Sequence, residues 1–375
     1  MRLTRPLHIL ASMRHHVLTV AAVALVACSR GAPARPDAPP RPDAPPRAAF
    51  RDSAPPAAVE KEGPAAAGLA SATLAPSAAE LDPFEQQVYF KQLTDLGFHE
   101  QLGGEMLVRK VQYASVDGMS IPAYYFAPRD TSVRRPAIIM VHGGVHGDFD
   151  LVHVPQVRAL VRRGYVVIAP EYRGSTGYGK AHFDAIDYGG KEVDDAVAAV
   201  RYLADSVPNA DTSLLGVMGW SHGGFISFHA VVRHPELFKV AIAHVPVADL
   251  PSRIRSHSPL YQRIFADQPG FGGTLAENPG PYVERSPIAQ ARRLRTPLLV
   301  HTADNDEDVF IVENHNLRDS MIAAGKDRAG LYRYREWHNP PGGHSFGVLD
   351  TPQGRESWAE TIAFLDRYLR PPGRR

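Results

Sequence analysis

Short, mostly apolar runs recur along the chain from residue 136 onward: PAIIMV at 136–141, YVVIA at 165–169, LLGVM at 214–218, VAIAHV at 240–245 and PLLVH at 297–301. None alternates apolar with polar, so each reads as a strand buried on both faces, the mark of a parallel sheet. A further strand is expected at 331–336. Helical patterns stand between these runs, near 155–163, 192–204, 224–232, 309–324 and 356–369. In the second of these, Val193, Ala196, Val197, Val200 and Leu203 share one helical face. Strands alternating with helices specify an α/β protein, a mostly parallel doubly wound sheet with helices on both faces. Ahead of it, 83–102 reads as an amphipathic helix. Residues 108–113 and 120–126 read as a hairpin around Asp117-Gly118. Sites in such sheets form beyond the carboxyl ends of the strands.

The chain has 375 residues, 44% hydrophobic and 22% charged, ample for a buried core. Its net charge of +1 gives no electrostatic case for a nucleic-acid or strongly acidic partner. Its one cysteine, Cys28, excludes an intramolecular disulfide. That cysteine closes an apolar run, 17–27, preceded by Arg14, His15 and His16. A basic region followed by a short apolar run makes residues 1–27 a secretory signal, and the run is too short to span a bilayer comfortably. Leu25-Val26-Ala27-Cys28 resembles a bacterial lipoprotein cleavage site, with Cys28 as the lipidated residue; the alternative is a signal whose cysteine is incidental. Residues 28–79 are rich in Pro and Ala, repeat RPDAPP at 35–40 and 41–46, and lack apolar periodicity. They read as a disordered tether. A catalytic-sized domain is therefore expected at 80–375, secreted across the inner membrane and lipid-anchored on the periplasmic side or at the outer membrane, toward which Ser29 points.

Gly219-Trp220-Ser221-His222-Gly223-Gly224 lies between a strand and a helix. A sharp strand-to-helix turn needs small residues on either side of its serine, and it lifts the hydroxyl above the sheet. It also brings the His222 backbone N–H to a helix N-terminus, where a developing oxyanion can be held. A serine needs a base and an orienting acid, which in this fold follow in the order serine, acid, histidine. The strand at 297–301 leads into Thr302-Ala303-Asp304-Asn305-Asp306-Glu307-Asp308-Val309, where three aspartates compete. Gly342-Gly343-His344-Ser345-Phe346 then supplies a histidine ahead of the last helix.

These stretches, with His142-Gly143-Gly144, Glu171-Tyr172-Arg173-Gly174-Ser175-Thr176-Gly177-Tyr178-Gly179 and Glu284-Arg285-Ser286-Pro287, resemble the catalytic domain of the prolyl oligopeptidase family of serine peptidases. The resemblance runs from about residue 135 to 370 and implies the α/β-hydrolase fold with a small cap segment. It implies Ser221, Asp306 and His344 as the triad. Asp304 is the alternative acid, because the loop is one residue longer than the family's. It implies oxyanion donors from His222 and from Gly144 or Val145. No cofactor and no metal are called for: His142, His146 and His153 with Asp148 and Asp150 match no metal-ligand spacing.

The sequence departs from the family in two places. Its peptidases carry a β-propeller ahead of this domain, and the stretch between residue 80 and the strand at 136 is too short for one. Proline-specific members wall their pocket with aromatics after the strand that follows the elbow helix, where this chain has Pro246-Val247-Ala248-Asp249-Leu250-Pro251-Ser252-Arg253. Tyr261, Phe265, Phe271 and Tyr282 either line a different pocket or pack the cap. The leading expectation is a serine peptidase acting on short peptides through an acyl-enzyme. A carboxylesterase with the same triad is the alternative, and a non-catalytic binding lipoprotein the third reading. The sequence does not speak to oligomeric state.

Overall fold

A computed structural model describes residues 81–370. The signal segment, Cys28 and the tether lie outside the described residues. Helix α1 (Pro83–Leu102) starts at Asp82, whose carboxylate accepts from the Phe84 and Glu85 N–H groups while Glu85 accepts from the Asp82 N–H. This reciprocal cap, with Pro83 in the first turn, satisfies donors that a helix start leaves unpaired. The hairpin follows as β1 (Leu107–Ala114) and β2 (Ser120–Ala127), with Gly118 at φ 81° in its turn. Then come β3 (Arg135–Val141), α2 (Val154–Arg162), β4 (Val166–Pro170), α3 (Lys180–Asp184), α4 (Lys191–Ser206), β5 (Ala210–Trp220), α5 (His222–Arg233) and β6 (Val240–His244). Four short helices, α6 (Leu250–Ser256), α7 (Pro259–Ala266), α8 (Pro279–Glu284) and α9 (Pro287–Gln290), form the cap segment. The chain closes with β7 (Leu298–Ala303), α10 (Ile311–Ala323), β8 (Tyr332–Trp337) and α11 (Pro352–Leu369).

The eight strands form one sheet in the order β1-β2-β4-β3-β5-β6-β7-β8. The β1–β2 and β2–β4 pairs are antiparallel and the rest are parallel. The chain leaves β3 for β4 on one side and returns to β5 on the other. The crevice where winding reverses therefore opens between the carboxyl ends of β3 and β5, where Val141 lies opposite Gly219. Side-chain alternation divides the core into two layers. Ile138 and Met140 of β3 pack with Phe98 of α1, Leu160 of α2 and Leu365 of α11, while Ile139 and Val141 pack with Val193 of α4 and Phe225 and Ile226 of α5. Helices thus cover both faces, as the mostly apolar strands require.

One reading changes in the structure, and one pair of alternatives is decided. The helix at 83–102 is present but is not amphipathic. It buries Lys91, Phe98 and Leu102, while Phe90, Leu93 and Leu96 are exposed. The reason is electrostatic: Lys91 turns inward to the fully buried Glu171 carboxylate at 2.5 Å and to Asp148 at 2.7 Å. Burial alone would lower the Lys91 pKa; the two carboxylates outweigh it and raise it. In the cap, Phe265, Phe271 and Tyr282 are buried against one another and Tyr188, so they pack rather than line a cleft. Only Tyr261 turns its hydroxyl to a charged group, accepting from Arg253 Nε at 2.8 Å.

Candidate active site

β5 ends at Trp220 and α5 begins at His222, leaving Ser221 alone at the turn with φ 55° and ψ −119°. A non-glycine residue there is strained by about 1–3 kcal/mol, and the surroundings must hold it. They do so by close backbone packing. A β-carbon at Gly219 would lie 2.4 Å from the Gly223 carbonyl oxygen, and one at Gly223 would lie 2.2 Å from the Val141 oxygen. The Ser221 N–H donates to the His244 carbonyl of β6 at 2.9 Å, fixing the turn to the neighbouring strand. Ser221 is 7% exposed.

The His222 N–H sits at the first position of α5, one of the donors that helix geometry leaves without an intrahelical acceptor. The loop after β3 closes the other side. A β-carbon at Gly143 would lie 3.3 Å from Ser221 Cβ, so the 143–145 backbone runs against the elbow. Gly144 adopts φ 69°, and its carbonyl is held by the Tyr172 hydroxyl and, at 3.3 Å, by the Gly147 N–H. The sequence-predicted donors His222, Gly144 and Val145 therefore flank the switch point between β3 and β5.

The predicted acid and histidine meet at the ends of the next strands. Asp306 follows β7, is buried, and accepts from Asp308 N at 2.9 Å and Val309 N at 2.8 Å through one oxygen. Its other oxygen accepts from His344 Nδ1 at 2.7 Å. His344 sits in a 3₁₀ turn, Gly343–Val348, whose approach uses Gly342 at φ 92° and Gly343 at φ 48°. At Gly343 a β-carbon would also lie 2.9 Å from the Asn305 carbonyl oxygen, so the glycine allows the histidine loop to close onto the acid loop. Phe346 anchors this turn in a cluster with Val245, Ala303 and Trp337, the ends of β6, β7 and β8. Gly347 abuts Trp220, the residue before Ser221. Burial works against charge on His344, but the Asp306 hydrogen bond and the Asp306 and Asp308 charges outweigh it and raise its pKa above the ordinary value.

Asp304 takes another partner. It binds His338, whose side chain is 93% exposed, and accepts from the Asn339 N–H at 2.6 Å. It makes a surface turn rather than the contact to His344. The histidines and aspartates of the 142–153 stretch also disperse. His142 contacts Ser175, His146 stacks on Phe183, His153 faces Asp150, and Asp148 pairs with Lys91. No group of three potential ligands converges on a point among the described residues. Arg173, in the loop after β4, is buried between Asp117 and Asp195 and shapes the fold.

Two groups beside the site carried no assigned role in the sequence. Asp308 turns Oδ2 to within 3.5 Å of His344 Nε2, and Arg253 donates to Asp308 Oδ1 at 2.8 Å. Asp308 stood in the sequence only as one of the three aspartates competing to be the acid. No signal existed for Arg253, which the fold brings back from α6.

A strained serine between a parallel strand and a helix, with an acid and a histidine on loops after later strands, defines the α/β-hydrolase class. Within that class the chain belongs to the prolyl oligopeptidase family, whose family model matches residues 152–371. It is 28% identical over 265 residues to the uncharacterized peptidase YuxL of Bacillus subtilis, covering 69% of this chain and 39% of that protein. It is 30% identical over 204 residues to the human acylamino-acid-releasing enzyme, covering 53% of this chain and 28% of that one. Among solved structures, a puromycin-hydrolyzing peptidase of Mycobacterium tuberculosis superposes with a TM-score of 0.58 at 26% identity, covering 70% of this chain and 39% of that one. The chain thus spans well under half the length of these relatives.

Proposed function

We propose that this protein is a serine peptidase that cleaves short peptides through an acyl-enzyme. The observation that carries the reading is the hydrogen bond between the buried Asp306 and the half-buried His344, standing beyond the same strand ends as the strained Ser221. In this mechanism His344 Nε2 takes the Ser221 proton as Oγ attacks the scissile carbonyl, and then delivers it to the leaving amine. Water attacks the acyl-enzyme by the same route in reverse. Asp306 holds the Nδ1–H tautomer and stabilises the imidazolium. The His222 N–H and one from Gly144 or Val145 receive the oxyanion, and each such donor contributes about 2.7–4 kcal/mol to the transition state.

The test is a fluorophosphonate probe, with mass spectrometry to locate the adduct, followed by a panel of aminoacyl and peptidyl amides beside short-chain acyl esters. An adduct on Ser221 with amide turnover is expected. An adduct with ester turnover only would make the protein a carboxylesterase. No adduct at all would leave a binding lipoprotein on a hydrolase scaffold and end the peptidase reading.

The same proposal places the enzyme at a membrane. Residues 1–27 act as the signal, Cys28 carries the lipid, and 28–79 tether the 80–375 domain on the periplasmic side or at the outer membrane. A clickable fatty acid fed to cells should label the protein, and Cys28→Ala should abolish the label. Labelling that survives the substitution, or that never appears in the parent, rules the anchor out.

A further inference from the structure

The proposed triad accounts for one carboxylate on His344, yet the structure brings two. Asp306 engages Nδ1, and Asp308 approaches Nε2, the nitrogen to which the proposed mechanism gives the Ser221 proton, at 3.5 Å. The Asp308 side chain is 52% exposed, and Oδ2, the oxygen that does not accept from Arg253, is the one turned to His344. Behind it, Arg253 is almost fully buried, and four of its five N–H donors are engaged within the protein. Nε goes to the Tyr261 hydroxyl, Nη1 to the Asp308 carbonyl and Glu313 Oε1, and Nη2 to Asp308 Oδ1. A substrate entering beside His344 therefore meets the Asp308 carboxylate and not the guanidinium. Burial alone would raise the Asp308 pKa, but His344, Arg253 and His257 hold it below the usual carboxylate value, so the group is ionised at neutral pH.

We propose that Asp308 is a specificity-determining residue that receives the free α-ammonium group of the residue whose carbonyl Ser221 attacks. Preferred substrates are then peptides and amides with an unblocked amino terminus. This rests on the serine hydrolase reading of the site. In the reacting complex Ser221 Oγ lies between His344 Nε2 and the scissile carbonyl carbon, which stands within about 4 Å of that nitrogen, and the α-nitrogen of the same residue is about 2.5 Å from the carbon. A carboxylate beside Nε2 is within a charge-assisted hydrogen bond of such an ammonium. An N-acyl substrate offers no charge there, and its added carbonyl oxygen would face an acceptor that cannot donate to it.

The experiment compares free and N-acetylated members of matched pairs, the p-nitroanilides and ethyl esters of Ala, Leu and Phe, on the parent protein, Asp308→Asn and Asp308→Ser. Asparagine keeps an acceptor for Arg253; a thermal unfolding midpoint near the parent's confirms that a variant is folded. The parent should favour the free amine at least tenfold in kcat/KM. Asp308→Asn should cut that ratio about tenfold. In the parent the ratio should also fall as pH rises through the substrate's amine pKa, near 8, which a purely structural role would not produce. A parent that favours N-acetylated substrates, or a ratio that moves less than twofold in both variants, overturns the proposal. The ester pairs read the same ratio if amides are not cleaved. If nothing is turned over, the hydrolase reading itself has failed. Calorimetric titration of Ser221→Ala with leucinamide and N-acetylleucinamide then decides the amine preference separately, and equal affinities reject it.

Discussion

Replacing Asp306 with asparagine should lower kcat on any cleaved substrate by about 10⁴ while leaving the thermal midpoint within a few degrees. The size follows from how the acid loop is wired. One Asp306 oxygen accepts from both Asp308 N and Val309 N, and those two donors demand an acceptor at that position. An asparagine must keep its carbonyl oxygen there, which turns its NH₂ toward His344 Nδ1. The ring nitrogen then has to accept, so the proton moves to Nε2, and the base that should take the Ser221 proton is already protonated. The fold loses one hydrogen bond and replaces it with another. The control is Asp304→Asn, which touches only the exposed His338 and the Asn339 N–H and should leave kcat within twofold. A drop of less than tenfold in Asp306→Asn would remove Asp306 from the mechanism.

Lys91→Met should destabilise the domain by about 3–5 kcal/mol, measured by denaturant unfolding at neutral pH. Lys91 is 4% exposed and Glu171 wholly buried; without the ammonium, Glu171 keeps the Phe149 N–H at 3.3 Å and no cation in contact. Burial already raises the Glu171 pKa even with Lys91 present, and the like charge of Asp148 adds to the rise. The sign of the pH dependence follows. A carboxyl whose folded pKa is raised binds its proton more tightly when folded. The penalty should therefore shrink as pH falls from 7 toward the unfolded glutamate value and be largest above the folded pKa. The double substitution Lys91→Met with Glu171→Gln should recover most of the loss, since the amide keeps its backbone contact without a charge. A single-variant loss below about 1 kcal/mol would mean that water reaches this site.

The fold class and the candidate nucleophile were legible because both rest on local requirements. A strand covered on both faces must be apolar nearly throughout, so 136–141 and 165–169 declared themselves. A strand-to-helix turn that leaves no room for a β-carbon must carry glycine, so Gly219 and Gly223 marked Ser221. The start of α1 is fixed locally by the reciprocal cap of Asp82 and Glu85, with Pro83 in the first turn. Its inner face was not readable, since the pattern of residues on one helix says nothing about a buried Glu171 eighty positions on. That distant charge is what draws a lysine inward and leaves Phe90 and Leu93 outside.

The composition of the elbow, the order of serine, aspartates and histidine, and the two-layer packing were determined by the sequence, through backbone sterics and apolar burial acting over a few residues. Which aspartate meets His344 was decided only by tertiary structure. Asp304 and Asp306 stand two apart on one turn, and the choice between them lies in where the loop after β8 returns to the sheet. The same holds for Arg253 and Asp308. They are 55 residues apart in the chain and join only because the cap folds back over the ends of β6 and β7, so their pairing depends on long-range packing that no local pattern records.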